Sequence, residues 1–137
     1  MALENLAYAL AQVFHNFGAM AVVAGAALAL WAPALPSGRE GQLARLVALG
    51  WAVQIASGAS FGAISYYYYG RLPDIHGVAV AALTVKVTCA VAGLAIALLL
   101  QQRGQRWNET QRKRAWRALA LLAAAALAAA AFLRWFS

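Results

Sequence analysis

Four long apolar runs, separated by short polar stretches, occupy nearly all of this 137-residue chain. A helix that crosses the roughly 30 Å hydrocarbon core of a bilayer needs about 20 predominantly apolar residues, and each run reaches that length. Hydrophobic residues make up 64% of the sequence, whereas soluble domains contain roughly 45 to 50%. We therefore predict a single all-α transmembrane domain over residues 1–137. It is an integral membrane four-helix bundle with helices at about 5–31, 44–69, 75–100 and 118–136.

The basic residues are concentrated in the stretch after the third predicted helix. The formal net charge is +7, and residues 101–117 carry six Arg or Lys residues against one acid, Glu109. Basic loops mark the cytoplasmic side of membrane proteins, so we interpret this charge as a topology signal and expect no nucleic-acid partner. The single cysteine, Cys89, lies within an apolar run, which excludes an intrachain disulfide and a cysteine-based metal cluster.

Charges near the helix ends also predict how the helices cross the bilayer. The first and third loops carry more basic residues than the second loop and the C-terminal tail, so both termini should lie on the extracytoplasmic side. The tyrosine run 66–69 fits an aromatic belt at the outer interface. Four consecutive residues point all around a helix, so at least one tyrosine should face inward. We predict a multi-pass protein of the bacterial inner (cytoplasmic) membrane.

Polar residues interrupt three of the apolar runs at one depth. Gln12, His15 and Asn16 lie in the first run, Gln54 lies in the second and Lys86 in the third. Under the predicted topology His15, Gln54 and Lys86 all lie slightly to the outer side of the midplane. An ionisable residue in a membrane costs about 2.5 to 3.5 kcal/mol on insertion scales, so we expect Lys86 to serve a site, a partner or a water-filled cavity. The alternative is a structural lysine that bonds helix carbonyls or Gln54.

The two histidines are the candidate metal and cofactor ligands. His15 can be a haem iron ligand, another metal ligand, a proton-relay member or a buried hydrogen-bonded side chain. We favour haem b, with His15 as the iron ligand and His76 as the candidate second ligand. Lys86 and Gln54 would bind a propionate, a quinone or a proton path. Small residues near His15 could leave space for a flat ring, at Gly18, Ala19, Gly25 and Gly58.

Several other chemistries lack the residues that they need. Two histidines without a cysteine cluster or a carboxylate pair cannot form a closed zinc site. His76 beside Asp74 leaves only a weak copper(II) site at the outer surface. Ser57, Ser60 and Ser65 have no histidine and acid beside them for a hydrolase triad. The sequence also contains no phosphate loop or nucleotide fingerprint, so whether the protein is an enzyme stays open.

A lysine inside an apolar helix connects the chain to one known group of proteins. His15 before a small-residue face, the Gly70-Arg71 turn, and Thr84-Val85-Lys86-Val87 before an apolar run form a pattern over about two thirds of the chain. It resembles the copper-resistance protein D domain and the HemJ-type four-helix protoporphyrinogen oxidases. The resemblance implies a haem ligated by His15 and a functional Lys86. The chain lacks the tryptophan and histidine that precede the lysine in the HemJ type, because His76 lies ten residues away.

Three functions follow from these residues. The first is a membrane haem-b-binding redox protein that exchanges electrons with quinone or a periplasmic partner. The second is a non-catalytic accessory subunit of a larger membrane complex. The third is a copper or small-cation transport protein that uses the polar cluster. Helix 4 has no polar residue between 118 and Arg134, so we expect assembly into a homo-oligomer or a larger complex.

Overall fold

The computed structural model describes residues 2–32 and 38–137. It contains four long helices, α1 (Ala2–Trp31), α2 (Arg39–Tyr69), α3 (Val78–Arg103) and α4 (Glu109–Phe136), with a short 3-10 helix at Gly104–Arg106. Within the described ranges there is no strand, and all four long helices have the length and apolar composition needed to cross a membrane. The predicted all-α fold of four membrane-length helices is confirmed. The side on which the termini lie stays a prediction.

The helix ends differ from the predicted positions where charged residues continue a helix beyond its apolar run. α2 begins at Arg39 instead of about 44, and α4 begins at Glu109 instead of about 118. A capping box explains the early start of α4. The Asn108 side chain accepts from the Gln111 backbone N–H, and the Gln111 side chain accepts from the Asn108 backbone N–H. α3 instead begins late, at Val78, after Gly77 with a positive φ of 53°. Most of the basic stretch 101–117 is therefore helical.

The four helices form a closed ring in chain order. Each helix packs on its neighbour in the chain, and α4 packs back on α1. α1 and α2 are antiparallel, because the Tyr69 hydroxyl near the end of α2 donates to the Glu4 carboxylate near the start of α1. At the opposite end of the bundle, Glu40 of α2 accepts from Trp116 Nε1 of α4 at 2.9 Å. Contacts at both ends thus fix the helices around a common interior.

Small residues allow close contact between the helices. A Cβ atom added at Gly18 would lie 3.0 Å from the Gly50 carbonyl oxygen, and one added at Gly25 would overlap the Val47 side chain. Among the largest fully buried side chains are Trp51, Leu119 and Val47. Small residues on both helices therefore let α1 and α2 pack closely, a common arrangement in membrane helix pairs.

The expectation that one tyrosine of the 66–69 run faces inward is wrong. All four rings are exposed, and Tyr68, the least exposed, still keeps 40% of its surface accessible. Ser65 is the last buried residue of α2. The tyrosines lie in the final turn beyond it, where an amphipathic ring suits the interface between membrane and water.

Candidate functional site

Polar residues from α1, α2 and α3 meet around one imidazole ring where these three helices come together. His15 Nδ1 lies 2.7 Å from Ser57 Oγ, and His15 Nε2 lies 2.8 Å from Lys86 Nζ. The Gln54 side-chain amide donates to the His15 backbone carbonyl. The structure therefore brings together His15, Gln54 and Lys86, as the depth prediction required. We refer to Lys86, His15 and Ser57 as the polar triad.

The hydrogen-bond partners determine which nitrogen of His15 carries the proton. Ser57 Oγ lies 2.5 Å from the Val53 carbonyl oxygen, which can only accept. The single hydroxyl proton is used in that bond, so Oγ must accept from Nδ1–H of His15. His15 Nε2 is then unprotonated and accepts from Lys86 Nζ. The bonds of the polar triad therefore run in one direction, from Lys86 through His15 and Ser57 to Val53.

Small neighbours on each helix give the triad side chains room to meet. Lys86 lies between Ala82 and Ala90, one turn away on either side, and both alanines are buried. On α2, Gln54 and Ser57 are three residues apart, a spacing that places them on one helix face. Both side chains are buried, with 8% and 5% of their surface exposed. The sequence therefore directs these polar side chains into the bundle.

An aromatic pair lies against the imidazole ring. The Phe61 and His15 rings meet edge to face, with centroids 5.8 Å apart and planes at 78°. Tyr8 stacks on Phe61 with centroids 6.3 Å apart. Tyr8 and Phe61 are both only partly buried, as are His15 and Lys86. The polar triad is thus bordered by an aromatic surface and is accessible from outside the bundle.

His76 lies apart from the polar triad. Its Nε2 atom is 2.7 Å from Asp74 Oδ1, and the two side chains are 83% and 73% exposed. His76 precedes the first residue of α3 and Lys86 lies ten residues further on, roughly 15 Å at 1.5 Å per residue. The two histidines, His15 and His76, do not meet in this structure, so the predicted two-histidine ligand set is not assembled. Among the described residues, no three His, Cys, Asp or Glu side chains are grouped for a metal ion.

Two of the four small residues near His15 serve a different purpose from the one predicted. Gly18 and Gly25 are covered by α2, which approaches too closely to leave room even for a Cβ atom at Gly25. The interpretation of these two positions as space for a flat ring is therefore wrong. Gly58 is open, with no atom within 4 Å of an added Cβ.

The other polar residues of α1 do not join the polar triad. Gln12 and Asn16 are exposed on the bundle surface, and the Gln12 side-chain amide donates to Asn16 Oδ1 at 2.7 Å. The hydrogen-bond partner of His15 Nδ1 is Ser57 of α2, and not Gln12 or Asn16, its neighbours in the sequence. The polar group in the middle of the first apolar run thus divides into an inward residue and an outward pair.

Comparison with protein-family models, curated proteins and solved structures finds no match to this chain. The resemblance to the copper-resistance protein D and HemJ groups therefore stays a prediction.

Proposed function

We propose that the protein is a membrane redox protein that binds a quinone headgroup at the polar triad and exchanges protons with it. The observation that supports this proposal is the 2.8 Å contact between Lys86 Nζ and His15 Nε2, two titratable groups inside membrane-length helices. A quinone carbonyl oxygen accepts hydrogen bonds from such groups, and its reduction takes up protons together with electrons. Histidine and lysine are suited to supply those protons in a membrane site.

The hydrogen bonds of the polar triad run in a direction that favours a binding site over an ion path across the membrane. Its bonds run across the bundle, from α3 through α1 to α2, and not along the helices. The Ser57 hydroxyl then donates to a carbonyl of its own helix, at Val53. Such a chain can hold and exchange a proton at one depth, but it carries no ion from one face to the other. The copper or small-cation transport hypothesis is therefore the weaker one.

The surroundings of the triad suit a ring that arrives from the bilayer. Ligand sites are commonly apolar or aromatic surfaces with a few polar groups that fix orientation. Here the stacked Tyr8 and Phe61 rings border the imidazole, while partly buried His15 and Lys86 supply the polar atoms. We propose that an electron carrier in a larger membrane complex or in the periplasm delivers the electrons.

A titration of the purified protein with decylubiquinone tests this proposal by isothermal calorimetry. We expect Lys86→Met and His15→Gln to weaken binding by roughly 10- to 100-fold, because a hydrogen bond to a charged group contributes about 1.5 to 3 kcal/mol. Thr88→Val is the matched control. Thr88 is an exposed residue of α3 whose hydroxyl donates only to the Thr84 carbonyl, at 2.8 Å. Binding that is equal in all four proteins, or undetectable in the wild type, would show that the triad is not a quinone site.

Haem b is the second candidate because of the His15 tautomer. Ser57 holds the Nδ1 proton, which leaves the Nε2 lone pair free to act as an iron ligand once Lys86 moves aside. Lys86 would then pair with a haem propionate. His15 would be the only histidine ligand, since His76 is distant and paired with Asp74. When bound, haem would supply one-electron transfer.

A reduced-minus-oxidised absorbance spectrum tests the haem candidate independently of quinone binding. If His15 ligates haem, protein from haem-supplied cells has a Soret band that His15→Gln removes and Thr88→Val retains. A wild-type protein without a Soret band under these conditions contradicts haem binding. That result would leave the decylubiquinone titration unaffected, so the two candidates can be separated.

A further inference from the structure

We propose that two copies of this chain associate in the membrane through α1, with Gln12 and Asn16 at the centre of the contact. Both side chains are exposed, and they follow Ala2, the first residue of α1, by 10 and 14 residues in a helix of 30. At 1.5 Å per residue they lie roughly 15 to 21 Å from the helix start, close to its middle. On a single copy in a bilayer, these amides would face hydrocarbon.

The exposed amides are only partly satisfied by their own helix. The bond from Gln12 to Asn16 Oδ1 uses one donor and one acceptor. Gln12 Oε1 and Asn16 Nδ2 make no hydrogen bond within the part of the chain that the structure describes. A polar group without a partner in the hydrocarbon region costs several kcal/mol. A monomer would therefore carry this cost at the centre of α1.

Three hydroxyl residues that are at least partly exposed on the membrane-length helices carry no such cost. The hydroxyls of Ser60, Thr84 and Thr88 each donate to the carbonyl four residues earlier, at 2.8, 2.9 and 2.8 Å. Those residues can face lipid with their donors satisfied. The amides of Gln12 and Asn16 are longer and carry more donors and acceptors than their own helix satisfies. They need a partner surface.

The remaining groups are complementary to a second copy of themselves. The patch offers an acceptor, Gln12 Oε1, and a donor, Asn16 Nδ2, one helical turn apart. Two copies of one chain insert in the same direction, so their α1 helices run parallel with identical residues at identical depth. The 2.7 Å bond within each copy brings the two amide groups to one depth, so a twofold axis along the membrane normal can pair Asn16 of each copy with Gln12 of the other. Two equivalent hydrogen bonds form, whereas a different protein would need its own matching pair at this depth.

The same side of α1 has a shape that suits a helix pair. Residues at alternating steps of four and three share one stripe, and all are at least partly exposed: Asn5, Ala9, Gln12, Asn16, Ala19 and Val23. This spacing is that of a left-handed helix pair, and the alanines allow the backbones to approach closely. The next position of the repeat, Ala26, is buried, so the stripe ends at Val23. His15 points about 100° away from Asn16 and about 60° away from Gln12 around the helix. The dimer contact therefore lies beside the polar triad on α1 and is centred on the adjacent side of the helix.

Disulfide cross-linking in membranes tests the contact with a control at the same depth. Ala9→Cys lies on the stripe, and Leu10→Cys lies one residue further on a different side, at a position that is 51% exposed. The natural Cys89 is buried, and the wild type measures its background. Mild oxidation should link Ala9→Cys into dimers and leave Leu10→Cys monomeric. Equal cross-linking of both variants, or none at position 9, would overturn the proposal.

The amides are tested by the double variant Gln12→Leu/Asn16→Leu, whose leucines are compatible with lipid. We expect its dimer dissociation constant, measured by energy transfer between labelled copies in lipid, to rise by roughly tenfold. The thermal unfolding of the protomer should stay unchanged because both residues are exposed. Lys86→Met should dimerise like the wild type, so failure of the quinone proposal leaves this one intact. A double variant that dimerises as tightly as the wild type contradicts the contact, as does a wild type that pairs only with a different protein.

Discussion

His15→Leu is expected to destabilise the bundle strongly, whereas Lys86→Met is expected to cost little or to stabilise it, although both remove the same 2.8 Å contact. Without His15, the Lys86 amine loses its partner inside a membrane-length helix. Leaving a buried donor without its hydrogen-bond partner costs about 1 to 3 kcal/mol, and more for a charged group, so we expect about 2 to 3 kcal/mol for the partly exposed Lys86. Without Lys86, the neutral imidazole keeps its bond to Ser57, and the chain loses a residue that is costly in a bilayer. The free energy of unfolding, from denaturant titration in mixed micelles, measures the difference.

The double variant His15→Leu/Lys86→Met completes this comparison. It has no unpaired amine, so it should recover most of the stability lost in His15→Leu. Thr88→Val, on the exposed side of α3, controls for a substitution in the same helix. If the two single variants lose the same free energy of unfolding, the contact between His15 and Lys86 only stabilises the packing of the helices. That outcome would support the accessory-subunit hypothesis over a binding site.

The fold followed from the sequence because the bilayer limits the possible structures so strongly. Length and apolar composition were sufficient to predict four membrane-length helices, and α1 ends at Trp31 as predicted. Hydropathy could not define where the helices begin outside the hydrocarbon region, since the start of α4 depends on local capping. The spacing of Asn108 and Gln111 is that of a capping box and indicates the start of α4, but a hydropathy profile does not include capping residues.

The sequence predicted the depth of the site residues in the membrane, but it did not predict how each helix is rotated about its own axis. Counting residues from the predicted surfaces placed His15, Gln54 and Lys86 at one level, where they meet. Ser57 was missed as a partner of His15, because a serine in a membrane helix commonly bonds its own carbonyl, as Ser60 does. Ser57 does this as well and still accepts from the imidazole. Only the orientation of the helices decides that additional contact.

The role of small residues was not predictable from the sequence, since a face of small residues is compatible with two different structures. A helix face rich in glycine and alanine can leave space for a cofactor or can admit another helix. At Gly25, the neighbouring Val47 decides for the helix, because its side chain occupies the space that a Cβ would take. Which of the two applies depends on the partner face, and the sequence does not state which face that is.

A second glycine, on α3, is expected to show the same close packing with a large effect on stability. A Cβ atom added at Gly93 would lie 2.6 Å from Trp51 Nε1 and 2.8 Å from Trp51 Cδ2. Trp51 is 1% exposed, so its ring has no space into which to move, and α2 and α3 must separate. We expect Gly93→Ala to lower the free energy of unfolding by about 1 to 3 kcal/mol, the usual cost of overpacking. Circular dichroism during thermal unfolding in detergent measures this loss.

The sign of the effect distinguishes packing from helix propensity. Alanine favours a helix over glycine by about 1 kcal/mol, so Gly58→Ala, with no atom within 4 Å of the added Cβ, should stabilise the protein. Gly93→Ala has the same propensity gain and should still be less stable than the wild type.

Trp51→Phe should restore part of the loss in Gly93→Ala, because phenylalanine lacks the indole nitrogen that the Cβ would meet. That nitrogen is buried without a hydrogen-bond partner among the described residues, so its removal leaves no group unsatisfied. If Gly93→Ala and Gly58→Ala shift stability equally, α2 and α3 do not pack as closely as the glycine and the indole ring indicate.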